Sequence, residues 1–276
     1  MLDPIDRIVP RHDHPDSQGN VMNLKKFGMA LSCLLGVAGW QPAAAQEAEK
    51  ELNNGTNPTL LANTVTVTGK FLDVRGAGSF WVLEPTVQIP FGKKNVSLGL
   101  RTPIAQSVVD KSFDIGDVSI LFTHVVSVNR QRGLAYTLEF FTNTAARPDI
   151  GFGEPVLKAS GFYVNFLKDG SILAPALVQQ MGFGDGVGGK SVNSTTFDLY
   201  YVPKLKDSRM FMTVDPAIVR DWRAEKIYGT VIVTVGRSIG RIGKGNFAIF
   251  TKPQIQIGAD RPSSWGIEIG AKLVGF

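Results

Sequence analysis

Residues 263–276 read SSWGIEIGAKLVGF, and this stretch decides the fold. Apolar residues occupy the odd positions from Trp265 to Leu273, and glycine, glutamate or lysine occupies the even positions between them. This period of two predicts a β-strand with one apolar face and one polar face. Chain ends ordinarily fray into water, yet the pattern continues almost to the last residue, Phe276. We therefore expect a strand that is paired along its whole length.

The same alternation recurs from residue 63 onward and is broken repeatedly by turn residues. The run FWVLEPTVQI at 80–89 is typical, with its apolar side chains at one parity and Glu84, Thr86 and Gln88 at the other. About twelve such runs follow one another, and an even number of two-faced strands suits a closed barrel. We predict an all-β fold, a closed antiparallel transmembrane β-barrel of about 12 strands of the outer-membrane type, over residues 63–276.

A soluble β-sandwich is the alternative, because alternation alone does not tell lipid from a second sheet on the apolar side. Three features favour the membrane barrel. The strands are long enough to cross a bilayer at a tilt, charged residues lie in mid-strand, and aromatic residues lie near strand ends, where interfacial girdles occur. These aromatic residues are Trp81, Tyr136, Tyr228 and Trp265.

In a closed barrel the last strand pairs with the first, because an unpaired edge is not tolerated in lipid. This requirement explains why the chain continues as a strand to Phe276. The apolar parity switches around Val274 and Gly275, and a β-bulge there could restore the phase. A terminal phenylalanine also resembles the signal by which outer-membrane barrels are recognised by their assembly machinery, so we expect that machinery as a partner.

The segment 22–45 has the composition of a secretory signal peptide: two lysines, an apolar run, and small residues before Gln46. We predict export, with residues 1–21 as a spurious or disordered extension, 22–45 as the signal peptide and 46–62 as a flexible mature N-terminus. The single cysteine, Cys33, lies within the predicted signal peptide, so the mature chain has no disulfide. The expected location is the outer membrane.

Polar residues at inward parity are the candidates for lining a lumen. Six acids and three bases among them predict a weak preference for cations if the lumen is open. The candidates are Glu84, Gln88, Arg101, Asp117, Glu139, Asp198, Asp215, Lys252, Gln254, Glu268 and Lys272.

Catalytic chemistry has little support in the sequence. His124 is the one histidine after the predicted signal peptide, and its parity places it among apolar residues, away from any nucleophile. The loop GDGVGG at 184–189 lacks the Lys-Ser/Thr ending of a phosphate loop. The positive charges are spread along the chain, without the basic stripe of a nucleic-acid binder. We predict no enzyme activity, no cofactor, no metal and no nucleic-acid partner.

Four segments resemble a family of Gram-negative outer-membrane barrels described as transporter-like and associated with the phenol meta-cleavage (MetA) pathway. The resemblance implies a barrel in contact with outer-membrane lipid that takes up small, including hydrophobic, molecules. Thr234 stands where this family commonly has proline. The segments are LEPTVQIPFGKKNVSLGLRTPI (83–104), FDIGDVSILF (113–122), MTVDPAIVRDW (212–222) and IVTVGRSIGRIG (232–243).

A passive channel for a small solute is the function that this reading favours. A closed structural or lipid-modifying barrel, with its lumen filled by side chains and ion pairs, remains open as an alternative, because small barrels are often filled by their own interior. A soluble periplasmic β-sandwich that binds a ligand is the third reading.

Overall fold

The structure is a computed structural model that describes residues 55–76, 78–92, 95–186 and 191–276. The predicted extension at 1–21, the predicted signal peptide at 22–45 and the first part of the predicted N-terminus lie outside these residues. In the described part of the chain, no helix has the length and apolar character needed to cross a membrane.

Fourteen strands and one 3₁₀ turn form the secondary structure of the described residues. The 3₁₀ turn is Pro148–Ile150, between β7 and β8. The strands are β1 Thr64–Val74, β2 Gly78–Phe91, β3 Val96–Arg101, β4 Ile104–Gln106, β5 Phe113–Ile115, β6 Ser119–Val128, β7 Arg132–Phe141, β8 Val156–Phe166, β9 Ile172–Gly182, β10 Asn193–Val202, β11 Met210–Asp221, β12 Lys226–Ile242, β13 Gly245–Ile257 and β14 Ser263–Val274.

Twelve of these strands close into one antiparallel ring, because β1 pairs with β14 on one side and with β2 on the other. The ring continues β2–β3–β6–β7 and then through every strand in order to β14. The short strands β4 and β5 continue β3 and β6 beyond breaks at Thr102-Pro103 and residues 116–118, and they pair with each other. The predicted closed barrel of about 12 strands is therefore confirmed.

The last strand closes the ring as expected. Val274 lies opposite Thr64, and pairing continues to Trp265 opposite Asp73. The bulge suggested near Val274 does not form: β14 ends there, and Gly275 turns the backbone with a φ of 77°. The Gly275 amide donates to the Asn63 carbonyl at 2.8 Å, which holds the final residues against the start of β1. The register shift in this pair of strands lies at its other end, at Asp73 and Val74.

The outer face of the ring is apolar. Large apolar side chains that alternate along the strands are exposed on it, including Ile89, Leu100, Ile120, Phe197 and Ile269. An exposed apolar band of this extent is unusual for a soluble monomer and is typical of a surface that meets lipid or a partner. The apolar face of the barrel wall therefore points outward and the polar face points inward, which is the reverse of a soluble barrel.

Of the four aromatic residues expected at the membrane interface, three lie on the outer face of the barrel and one does not. Trp81 and Trp265 are exposed and lie on either side of Phe71, with ring centroids 5.0 and 5.2 Å from it. Tyr136 packs against His124 at the outward parity of the neighbouring strand. Tyr228 is only 4% exposed, so its placement in an outer aromatic girdle is wrong. Its even parity on β12 turns its side chain away from the outer face.

Candidate functional site

A chain of ion pairs runs around the inside of the barrel. We call it the ion-pair belt, and it consists of Lys252, Glu268, Lys70, Glu84, Arg101 and Glu139, in that order. The signs alternate along it, and its members lie on β13, β14, β1, β2, β3 and β7. The successive N–O distances are 3.3, 3.9, 2.9, 3.4 and 2.7 Å.

Two further polar side chains lie at the Glu139 end of the belt. The Ser119 hydroxyl, on the strand between Arg101 and Glu139, donates to Glu139 at 2.7 Å. Lys158 lies directly opposite Glu139 on the next strand, β8. Burying a charge is costly unless it is paired, and alternation of sign gives each member of the belt an oppositely charged neighbour. The belt is therefore a rigid charged layer across more than half of the barrel wall.

Two ends of the barrel must be distinguished. We call the end at which β1 begins and β14 ends the terminal end, and the opposite end the far end. Because the strands alternate in direction, the connection between β7 and β8 lies at the far end, together with those between β9 and β10 and between β11 and β12.

The β7–β8 connection, residues 142–155, folds into the far end. Asp117 holds it there: its carboxylate accepts hydrogen bonds from the backbone amides of Ala145, at 2.9 Å, and Phe152, at 2.6 Å. Ile150 and Phe152 are buried as a result. Between this loop and the belt lies a cavity of about 100 Å³, whose lining includes Lys70, Arg101, Lys158, Phe80 and Phe152.

An outer clamp fixes the same loop to the β4–β5 connection. Arg147 Nη1 donates to Asp110 Oδ2 at 2.7 Å and to the Ser112 hydroxyl at 2.6 Å. The Ser112 hydroxyl and then the Arg147 guanidinium hold the pKa of Asp110 well below its usual range, and Asp110 raises the pKa of Arg147 in turn. The far-end loop is thus held both from inside and from outside.

The segment 55–62 crosses the terminal end. The Tyr200 hydroxyl donates to the Thr56 carbonyl at 3.1 Å. Gly55 lies beside Lys272 on β14, and Thr59 packs so closely on Gly133 of β7 that a Cβ there would come within 2.6 Å of its methyl group. Since β14 and β7 are almost opposite in the ring of twelve, this segment, which was expected to be a flexible N-terminus, spans the mouth.

A second cavity of about 440 Å³ lies between segment 55–62 and the belt. Its wall is rich in hydroxyl groups and aromatic rings, and two lysines and two acids also contribute. These lining residues include Thr64, Thr66, Thr123, Thr137, Thr213, Thr234, Phe162, Tyr200, Phe211, Phe250, Asp215, Lys252, Glu268 and Lys272. We call this space the terminal cavity.

The residues that the sequence predicts to line the lumen lie in several different places in the structure. Five belong to the belt: Glu84, Arg101, Glu139, Lys252 and Glu268. Gln88, Asp215 and Lys272 line the terminal cavity together with Lys252 and Glu268. Asp117 anchors the far-end loop. Asp198 on β10 lies close to Asp215 on the neighbouring strand β11, and Gln254 lies opposite Gly266.

Sequence reasoning missed Lys70 and Lys158, which both line the far-end cavity. Lys70 lies in a Thr/Val run whose polar face was assigned to threonine alone, although its parity matched. Lys158 shares its parity with Val156, Phe162 and Val164, so the inward face of β8 is mixed and gives no clean alternation. The two lysines remove most of the acidic excess from which cation preference was expected.

No metal-binding constellation occurs among the described residues. No group of three or more histidine, cysteine, aspartate or glutamate side chains there is close enough to hold a metal ion. His124 lies at outward parity, and its ring nitrogens lie 3.4 Å from the Tyr136 hydroxyl and 3.5 Å from the Asn95 amide nitrogen. These contacts suit a structural histidine near the barrel rim.

Comparison with solved structures places this barrel among porin-like outer-membrane folds. An outer membrane channel from Pseudomonas putida F1 aligns with a TM-score of 0.59 at 10% identity, covering 83% of this chain and 100% of that one. The KdgM porin, in complex with disordered oligogalacturonate, gives 0.53 at 8% identity over 76% and 98%. The NanC porin gives 0.52 at 9% identity over 77% and 99%. No family model and no curated protein sequence matches the chain.

Proposed function

We propose that this protein is an outer-membrane channel through which a small solute moves passively. The observation that carries the proposal is the pairing of an exposed apolar outer face with a polar, cavity-containing interior in one closed ring. A surface of that kind is stable in lipid, and the cavities inside it give a solute a polar environment between the two ends. The fold shared with channels and porins agrees with this role.

The resemblance to transporter-like barrels of the phenol meta-cleavage pathway extends the proposal to small, including hydrophobic, molecules. The apolar part of the far-end cavity, formed by Leu72, Phe80, Val82 and Phe152, supports such solutes. The partners in this proposal are outer-membrane lipid and the barrel assembly machinery, which would recognise β14 and Phe276 after export. Neither a cofactor nor catalysis is needed for passive movement.

The channel is narrow and gated in this proposal. The belt and segment 55–62 both lie on the path between the two ends, so a solute passes only when one or both move aside. The segment is the more mobile barrier on physical grounds, because it is not part of a strand, whereas each member of the belt lies on a paired strand and has an oppositely charged neighbour.

The test is current through a planar bilayer, recorded with the chain refolded from Gln46 and with a chain refolded from Asn63. We expect small, discrete ohmic steps for the first and larger, longer openings for the second, because the second lacks the segment across the terminal mouth. A change of gel mobility on boiling establishes that both chains form barrels. If both fold and neither conducts, the channel proposal is wrong.

The ion-pair belt also favours the second candidate, a closed structural barrel whose lumen is filled. Lipid modification at His124 would require a nucleophile or acid beside it, and its observed contacts are Tyr136 and Asn95. If neither folded chain conducts current in the bilayer, the result would support the closed barrel. Loss of a lipid-modifying activity in His124→Ala would support the enzyme instead.

A further inference from the structure

The ammonium group of Lys272 lies over aromatic rings. Its ammonium nitrogen lies 4.1 Å from the Phe211 ring centroid and 5.5 Å from that of Phe250. Lys252, which lines the same cavity, has Glu268 at 3.3 Å, whereas no carboxylate of the described residues lies within ion-pair distance of Lys272. Within the described part of the chain, aromatic rings rather than a carboxylate therefore face the charge of Lys272 in the terminal cavity.

The rings fix the position of this ammonium group without consuming its hydrogen-bonding capacity. A cation over an aromatic face is held by the negative face of the ring, which accepts no strong hydrogen bond. An ammonium group has three N–H donors, and Lys272 keeps donors for a ligand in the cavity that it lines. The arrangement presents a positive charge that is held in place in advance, which lowers the entropic cost of binding an anion.

The surroundings of Lys272 suit a compact apolar body next to an anionic group. Phe211, Phe250 and Phe162 contribute rings to the wall, and threonine hydroxyls contribute hydrogen-bonding groups. The volume of about 440 Å³ lies within the range of about 300–1,000 Å³ found for small-molecule sites. Asp215, the acid of this wall that is outside the belt, lies on β11, three strands away from β14 in the ring. This separation orients an anion toward Lys272.

We propose that the terminal cavity binds a small organic carboxylate, with the carboxylate on Lys272 and its apolar body against the Phe162, Phe211 and Phe250 rings that line the cavity. The inference deepens the proposed function, since such a ligand would be the solute, but the binding site itself is independent of conduction. Segment 55–62 borders the same cavity, so the bound ligand would lie directly behind the barrier at the terminal end.

The experiment is calorimetric titration of the full mature chain, folded in detergent micelles, with benzoate as the probe. Benzamide, which has the same shape without the charge, measures the apolar contribution alone. We expect benzoate to bind more tightly than benzamide, Lys272→Gln to weaken benzoate about tenfold or more, and Lys272→Arg to retain binding. Lys244→Gln, in the exposed turn between β12 and β13, makes the same charge change outside the cavity and should leave the affinity unchanged.

Equal affinities for benzoate and benzamide would overturn the proposal, and so would undiminished benzoate binding in a folded Lys272→Gln barrel. Because titration needs no membrane, its outcome is separate from that of the bilayer recordings. Benzoate binding without current would support the proposed binding site and contradict the proposed channel function. Current without benzoate binding would support the channel function and contradict the proposed binding site.

Discussion

Lys70 on β1 and Glu84 on β2 form the closest lysine–carboxylate contact of the ion-pair belt, at 2.9 Å, although the two residues are not directly opposite in the ladder. Lys70 is opposite Val82, and Glu84 is opposite Thr68. The contact is therefore diagonal, which brings Glu84 between two cations, Lys70 and Arg101. This position makes Glu84 the central acid of the belt.

Glu84→Gln should destabilise the barrel and shift ion selectivity. Lys70 keeps Glu268 at 3.9 Å and Arg101 keeps Glu139 at 2.7 Å, so neither cation loses every acidic neighbour. We expect a loss of about 1–3 kcal/mol in the free energy of unfolding, measured by urea titration in micelles. If the chain conducts, the added net positive charge should also move the reversal potential in a salt gradient toward anion preference.

The matched control is Glu225→Gln, which makes the same change in the exposed β11–β12 connection. It should alter neither the urea midpoint nor the reversal potential measurably, because exposed charges there are screened by salt. Equal effects of the two substitutions would mean that the belt is not on the ion path.

Tyr200→Phe should loosen the segment across the terminal mouth. The substitution removes the hydroxyl that donates to the Thr56 carbonyl and leaves the aromatic ring in place. We expect longer or more frequent openings in single-channel recordings, since the segment loses a hydrogen bond worth about 0.5–1.5 kcal/mol. Tyr163→Phe is the control, because Tyr163 is exposed on the outer face. Identical opening statistics for wild type and Tyr200→Phe would argue against segment 55–62 as a gate.

Gly266→Ala should destabilise the barrel near the closing seam. A Cβ at Gly266 would come within 2.6 Å of Leu72 Cδ2 and 2.8 Å of the Phe71 carbonyl oxygen, and the backbone oxygen has little freedom to move. Overpacking of this kind costs about 1–3 kcal/mol. Gly161→Ala provides the comparison, because a Cβ there meets no atom within 4 Å. Urea midpoints and the change of gel mobility on boiling should separate the two variants, and equal stability would contradict the packing argument.

The architecture was predictable from the sequence because period-two alternation is a local property, and the requirement that every strand be paired then forces closure. Glu84, Arg101, Glu139 and Glu268 could be assigned to the inner face for the same reason. Their connection into one belt could not, since it depends on diagonal contacts that require the register between strands. The sequence did not predict Lys158 as an inward-facing residue, because apolar residues share its inward parity on β8.

Two loop-like regions were the least predictable parts. Residues 55–62 have no periodicity, and their place in the terminal mouth depends on contacts with β7, β10 and β14, which are remote in sequence. The inward fold of residues 142–155 likewise depends on Asp117, whose carboxylate lines the far-end cavity and also accepts hydrogen bonds from two backbone amides. Long-range contacts of this kind leave no pattern within a single segment.

The clamp between Asp110 and Arg147 gives a prediction about pH. Hydrogen bonds from the Ser112 hydroxyl, and next from Arg147, lower the pKa of Asp110, so Ser112→Ala should raise that pKa further toward the ordinary value than Arg147→Gln does. Carboxyl-carbon NMR titration of the barrel in micelles measures both shifts. A folded-state pKa below the unfolded value means that the clamp stabilises the loop above the ordinary range near about 3.9 and loses that contribution as pH falls through the lowered pKa. The clamp should therefore be intact at pH 5 and open only in strong acid, and an Asp110 that titrates near the ordinary value of about 3.9 in the wild-type chain would show that the clamp does not form.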